Sequence, residues 1–149
     1  MKSKLRKAVY KGNTKKITSL VKKGADIDEL DENDRTILLE LTSYFISLGY
    51  NVPPELIKLL IDLGANVNYT VKRSTSINYN YKFETPLANA VECKKTEIVK
   101  VLLENGADPN AGIDNSYPPA RIIGLVPEHF DDPESKEIRR LLLEYGAKS

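Results

Sequence analysis

The sequence predicts an all-α solenoid of about four stacked helix pairs that carries one extended β-hairpin insertion. Three observations predict it. A Gly-Ala pair closes four leucine-rich stretches, at Gly24, Gly64, Gly106 and Gly146, and the pairs recur 40, 42 and 40 residues apart. Ahead of each pair the apolar residues fall three and four positions apart, the spacing that lines one face of a helix. Between the second and third pairs that spacing gives way to alternation at every second residue, the period of a strand. Self-similarity at a fixed period is the signature of a stack of small units, none of which can bury its apolar face alone.

The third unit is the clearest, TPLANAVECKKTEIVKVLLENGADPN from Thr85 to Asn110. Thr85 is placed to cap a helix through its hydroxyl, and Pro86 takes the first helical position, where a missing N–H costs nothing. Leu87, Ala90 and Val91 share one face, with Ala90 small enough to admit a neighbouring helix. Ile98, Val99, Leu102 and Leu103 repeat the pattern for a second helix. Gly106 lies just past its end, where the chain needs a left-handed conformation that glycine adopts cheaply.

This segment resembles the ankyrin repeat. In that family Thr-Pro-Leu opens a short inner helix, a Val-x-x-Leu-Leu outer helix follows, and Gly-Ala-Asp leads into a turn that reaches the next repeat. Aligned on the Gly-Ala pairs, the chain reads as one domain of units at about 3–28, 29–68, 78–110 and 111–149, with the hairpin insertion at 69–84. The first unit, LRKAVYKGNTKKITSLVKKGAD, is expected to cap the stack, with lysines covering its outer side. The second opens at Thr36 in TILLEL and the fourth near Pro118 in YPPARII. Extra residues between their helices, SLGYNVPPE and GLVPEHFDDPE, are expected to lengthen the turn or the inner helix and leave the core intact. With the insertion, they account for a period near 40 where the family has about 33. Leu39, Ala88 and Arg121 stand where the family often has histidine, so the hydrogen bonds it makes between repeats must be replaced or lost. Asp34 stands at a turn glycine and enters the left-handed region less readily.

The insertion YTVKRSTSINYNYKFE alternates in its second half, so Ile77, Tyr79, Tyr81 and Phe83 are expected to share one strand face. Tyr69 and Val71 are expected to continue that apolar face on the earlier arm, with turn residues from Ser74 to Ser76 between the arms. An isolated two-stranded ribbon is marginal in water. Its aromatic face is therefore expected to pack on the repeat stack or to meet a partner beside Lys72, Arg73 and Lys82.

Composition bounds the remaining classes. A chain of 149 residues suits one domain, and 41% hydrophobic with 29% charged residues lies far from a disordered composition. Charges break every apolar run well short of the roughly 20 residues a membrane helix requires. The N-terminus lacks the apolar core and cleavage site of a secretory signal. Cys93 is the only cysteine, which excludes an intramolecular disulfide and suits a reducing compartment, so a cytoplasmic protein is expected. Net charge is +1 but unevenly placed: Met1 to Lys23 carries nine basic residues and no acid, whereas 24–62 carries nine acids against Arg35 and Lys58. Such asymmetry can steer a charged partner, although solvated helix faces produce the same composition.

Catalysis is not legible. His129, the sole histidine, lies in EHFDDPE, where Asp131, Asp132 and Glu134 read as the N-terminal cap of a helix from Pro133. Calcium-loop spacing, a phosphate loop and any cofactor motif are missing from the sequence. Cys93 has no histidine beside it in sequence and reads as an inert thiol on the exposed side of its helix. A pI of about 7.7 and the acids at 24–62 argue against nucleic acid as the ligand of the basic N-terminus and hairpin.

The resemblance implies a non-enzymatic module that binds another protein through hairpin tips and the outward side of the inner helices. Its likeness to small free-standing ankyrin proteins implies an inhibitor such as an immunity protein that blocks a cognate toxin, or an adaptor or host-directed effector. Carried over by alignment, the contact positions are Tyr10 and Lys11 in the first unit and Glu32, Asn33, Arg35, Ser43 and Tyr44 in the second. The third unit offers Tyr81, Lys82, Glu84, Glu92 and Cys93, and the fourth Asn115 and Tyr117, all expected to be exposed. The hairpin adds Lys72, Arg73 and Tyr79. A monomer is expected, or a weak homodimer if the hairpin pairs with its own copy.

Overall fold

Helix pairs form in the expected order. The computed structural model describes every residue except Met1, Ser47, 75–80 and 115–119, with the backbone alone at Tyr44, Arg73, Ser74, Tyr81 and Lys82. The first pair is α1 (Lys4–Tyr10) and α2 (Thr14–Lys22). The second is α3 (Ile37–Glu40), continued by a π turn over Leu41–Phe45, and α4 (Pro54–Asp62). Strands β1 (Val71–Ser74) and β2 (Tyr81–Glu84) precede the third pair, α5 (Pro86–Glu92) and α6 (Thr96–Glu104). A 3-10 turn over Ile122–Leu125 and α7 (Pro133–Glu144) complete the fourth.

Local chemistry explains the boundaries. Thr85 caps α5 by accepting from the Ala88 N–H at 3.1 Å, with Pro86 next to it, and Thr36 caps α3 by accepting from Leu39 at 3.2 Å. After every outer helix the glycine of the Gly-Ala pair takes positive φ, 91° at Gly106. That turn lets the Ala107 N–H reach back to the Leu102 carbonyl at 3.0 Å, and Ala25, Ala65 and Ala147 repeat the bond. Asp34 does adopt the left-handed region, at φ 57°, because Asp31 accepts both the Asn33 and Arg35 N–H groups and braces the turn around it.

Two inner helices depart from the third unit's pattern. In the second unit the helix runs on through a π turn, where the Thr42 hydroxyl donates to Leu38 and Leu39 and the Ser43 hydroxyl donates to Leu39. These side chains compete with the regular ladder and widen it. In the fourth unit the inner helix shrinks to the 3-10 turn that starts at Ile122. Arg121 supplies no cap, Gly124 weakens the interior and Pro127 bars continuation.

The units stack. The π turn packs on α5 and α5 on the 3-10 turn, while α4 packs on α6 and α6 on α7. A single apolar cluster runs from Leu5 to Ala147 and includes Ile17, Ile57, Leu60, Leu102, Ile138 and Leu142, all essentially removed from water. Each such side chain contributes about 1.5–3 kcal/mol on burial, and most of that exists only because a neighbouring unit covers it.

A polar ladder joins the turns. The Asp28 carboxylate accepts the Asn66 N–H at 2.9 Å. One unit along, Asn68 accepts the Asp108 N–H at 2.8 Å and donates to the Gly106 carbonyl at 3.0 Å; Asn110 does the same with Lys148 and Gly146. These bonds tie successive units at their turns without the family's histidine.

The hairpin register corrects the expected face. Val71 lies opposite Glu84 and Lys72 opposite Phe83, and directly opposed residues share a face. Val71 and Phe83 therefore point to opposite sides, since a one-residue slip in register exchanges the two faces. The proposed sharing with Ile77 and Tyr79 lies outside the described residues. Val71 is buried, the Phe83 N–H donates to the Ile113 carbonyl at 3.0 Å, and the Tyr69 hydroxyl donates to the Asp34 carbonyl at 2.7 Å. The base of the insertion is thus held by the turn before it and the segment after it.

Candidate functional site

The first two units meet around a buried charge. Arg6 points inward from α1, next to Leu5, Ala8 and Val9, and is only 4% exposed. Its Nη1 donates to Glu40 Oε2 at 2.5 Å, and Nη2 donates to the carbonyls of Glu29 at 2.7 Å and Arg35 at 2.9 Å. Nε lies 3.4 Å from the Glu29 carboxylate, which also accepts from the Ser3 hydroxyl. A planar guanidinium can satisfy this many acceptors at once, and so it clamps the inner helices to the intervening turn.

Tyr10 completes the cluster. Its hydroxyl donates to Glu40 Oε2 at 2.7 Å. Burial and the Glu40 carboxylate beside it push the phenol up to about 12, so it remains a neutral donor at ordinary pH. The ring stacks on Phe45 at 5.0 Å, and Phe45 meets Tyr50 at 5.5 Å. Lys2 Nζ sits 4.4 Å above the Tyr10 ring.

Two depressions flank this cluster. On the turn side a polar one of about 380 Å³ is lined by Lys2, Arg6, Glu29, Asp31, Arg35 and Glu40 among others. Burial opposes ionisation of Asp31, but the Arg35 and Asn33 N–H groups and the Arg35 guanidinium outweigh it and hold the carboxyl below its ordinary range. On the other side a groove of about 450 Å³ runs between Tyr10, Leu41, Phe45, Tyr50, Val52 and Leu56, with Lys11 and Glu55 on its rim.

The contact positions expected from sequence divide into several groups. Lys11, Glu32, Asn33, Lys72 and Glu92 are exposed. Tyr10, Arg35, Ser43, Glu84 and Cys93 were expected to be exposed and are half-buried. Tyr10 is drawn in by Glu40 and Phe45, Arg35 by its ion pair with Asp31 at 3.0 Å, and Ser43 by its bond to Leu39. Glu84 is flanked in the two-stranded ribbon by Val71, and Cys93 follows α5 and packs against the apolar core. Tyr79, Asn115 and Tyr117 lie outside the described residues, as do the side chains of Tyr44, Arg73, Tyr81 and Lys82. Tyr10, Lys11, Glu32, Asn33 and Arg35 come together around the two depressions; Glu92, Cys93 and Lys72 belong to later parts of the chain.

Sequence reasoning missed Arg6, Glu29, Glu40, Phe45 and Tyr50. One signal existed: Arg6 interrupts the Leu5, Ala8, Val9 stripe, and Glu40 follows directly on Leu38 and Leu39, so opposite charges occupy inward positions of adjacent inner helices. At the fourth unit the acidic run behaves as expected. Asp132 caps α7 by accepting the Ser135 N–H at 2.9 Å and also accepts from Lys94 at 2.9 Å, and that ammonium with the N–H holds its carboxyl well below the ordinary range. Among the described residues no cluster of three metal-ligating side chains occurs, and no helix is long and apolar enough to cross a membrane.

Comparison with known proteins places these features in a group. The family model for ankyrin repeats, in three copies, matches residues 5–113. An ankyrin repeat protein of Acanthamoeba polyphaga mimivirus is 35% identical over 96 residues, which cover 62% of this chain and 51% of that protein. An ankyrin repeat protein of Fowlpox virus (strain NVSL) is 32% identical over 72 residues, covering 48% of this chain and 9% of that protein. The matched part thus spans about half of the first relative and a small part of the second.

Proposed function

The chain belongs to the ankyrin-repeat family, and from that premise we propose that it is a non-catalytic module that binds a partner protein through the exposed side of its inner helices and its turn tips. Ankyrin repeats generally mediate protein–protein interaction. The observation that carries the reading here is the paired depressions of the first two units, where an apolar groove and an exposed turn bearing Glu32 and Asn33 adjoin one rigidly braced cluster. Rigid anchors lose little entropy on association, which favours such a surface as a contact. In this reading the domain comprises four units, at about 3–28, 29–68, 78–110 and 111–149, with the hairpin insertion at 69–84, and the packing of α7 against α6 supports counting the last.

Two finer roles fit. One is an inhibitor of the immunity type that occupies a cognate toxin, for which the electrically uneven surface supplies steering. The other is a host-directed effector or adaptor acting in a cytoplasm, and the viral origin of both relatives favours it. The test is capture of partners by the immobilised chain, followed by titration calorimetry with the purified partner. A saturable complex weakened by Glu32→Ala with Asn33→Ala, at unchanged melting temperature, is expected. Failure to recover any stoichiometric protein partner would refute the reading, and the partner's identity separates the two roles.

A further inference from the structure

The basic end of the chain and the aromatic groove form one continuous surface. Eight lysines between Lys2 and Lys23 are exposed, and among the described residues no carboxylate pairs with any of them. Arg6, the ninth basic group of this stretch, is neutralised internally by Glu40. Lys4, Lys7, Lys11 and Lys16 frame a depression of about 230 Å³ floored by Ala8 and Asn13. Lys11 also forms the rim of the aromatic groove, so the two are contiguous. Like charges that line one depression, with no carboxylate among its lining residues, sum to a positive potential beside the groove.

The groove is floored by core residues, Leu41, Val52 and Leu56, and adds to them one ring that the core does not bury. Tyr50 and Val52 come from the extra segment between α3 and α4, and Tyr50 keeps 57% of its surface in water while its ring leans on Phe45. An exposed ring grouped with apolar neighbours in a concavity marks a contact rather than a scattered surface residue. The volume, about 450 Å³, falls within the roughly 300–1,000 Å³ of sites that enclose a sizeable apolar group. Tyr10 and Phe45 already stack on each other and the remaining walls, Leu41, Val52 and Leu56, are aliphatic, which suits a side chain better than a nucleobase.

We propose that this groove takes an acidic segment of the partner protein, which seats an aromatic or branched aliphatic side chain in the concavity against Tyr50, Val52 and Leu56 while its carboxylates meet Lys11, Lys7 and Lys16. The proposal rests on the protein-binding reading and specifies the chemistry of the partner. Charge complementarity decides the occupant: the depression that adjoins the groove at Lys11 carries four lysines and no acid, and burial of one apolar anchor supplies the affinity that exposed ion pairs alone do not.

The test is selection of random peptides displayed on phage against the full chain, with affinities of the selected peptides measured by fluorescence anisotropy. Oligo(dT) and phosphatidylserine vesicles serve as further probes. Selected peptides are expected to be net acidic with one bulky apolar residue, and to bind at least about tenfold more weakly to Tyr50→Ser and to Lys11→Glu with Lys16→Glu. Both variants alter exposed side chains, and circular dichroism melting verifies their folding; Tyr50→Phe retains the ring and is expected to retain binding. Peptides without acidic bias, affinities indifferent to both variants, or tighter binding of oligo(dT) or vesicles that ignores Tyr50 would each overturn the proposal. A captured protein partner held equally by wild type and both variants leaves protein binding standing and removes this groove from it, whereas capture of no partner by wild type removes the broader reading.

Discussion

Arg6 and Glu40 lie 34 positions apart in the chain and form a 2.5 Å ion pair with both side chains almost wholly withdrawn from water. The pair joins the inner helices of two units, and Tyr10 shares its carboxylate. Removing one partner leaves a buried charge with fewer acceptors, which is far costlier than never having the pair. Glu40→Leu is therefore expected to lower stability by about 3 kcal/mol, and Arg6→Met with Glu40→Leu to recover most of that loss. Urea unfolding of the single and double variants measures both; a mild single effect would show that the pair is not the clamp described.

The ladder of turn bonds predicts a stabilising change. Asp28 accepts from Asn66 but has no N–H to offer the carbonyl of Gly64, whereas Asn68 and Asn110 both accept and donate. Asp28→Asn is expected to add the missing bond and raise stability by about 0.5–1 kcal/mol, while Asn68→Ala loses two bonds and costs about 1–2 kcal/mol. Thermal melts of the two variants should move in opposite directions.

Asp34 holds a left-handed conformation at φ 57° without the freedom of glycine. Asp34→Gly is expected to relieve that strain and stabilise by about 0.5 kcal/mol, a gain reduced by the greater entropy of glycine in the unfolded chain. The carbonyl that accepts from Tyr69 is unchanged by the substitution. A lower melting temperature would mean that the side chain supports the turn.

Tyr10 predicts an alkaline transition. Its phenol is raised from 10.0 to about 12 in the folded chain, so between those values the unfolded state loses a proton that the folded state keeps. The contribution is fully present below pH 10 and is lost as pH rises toward about 12. Tyr10→Phe is expected to make unfolding less steep over that window. Ultraviolet titration of wild type and variant should differ by one phenol that ionises near pH 12 in the wild type.

Asp132 predicts the opposite sign at acid pH. Its carboxyl is depressed below 3.8 by Lys94 and the Ser135 N–H, so its contribution is present above that value and fades as pH falls below it. Asp132→Asn is expected to lower the melting temperature at neutral pH, and the difference should narrow at about pH 3 and below. A pH-independent difference would assign the effect to the cap bond rather than to charge.

Much of the fold was legible because it depends on local rules. Thr85 beside Pro86, the glycine after each outer helix and the apolar stripes of α5 and α6 each answer a requirement met within a few residues, and each lies where expected. The π turn was not legible, since Thr42 and Ser43 reveal their bonds to Leu38 and Leu39 only once the helix exists. Nor was the hairpin's face: alternation specifies which residues share a side within one strand, but Val71 opposite Glu84 is a register, decided between strands.

The candidate site divides the same way. The amino-acid sequence by itself determined that helix pairs recur, where each begins and ends, and that positive charge gathers before Lys23. Only the tertiary structure decided that Arg6 is buried while its lysine neighbours are not, that Tyr10 turns inward to Glu40, and that Tyr50 meets Phe45 beside Lys11. Periodicity and capping are short-range properties carried by adjacent residues, whereas burial and pairing depend on what a neighbouring unit about 40 residues away presents to the same space.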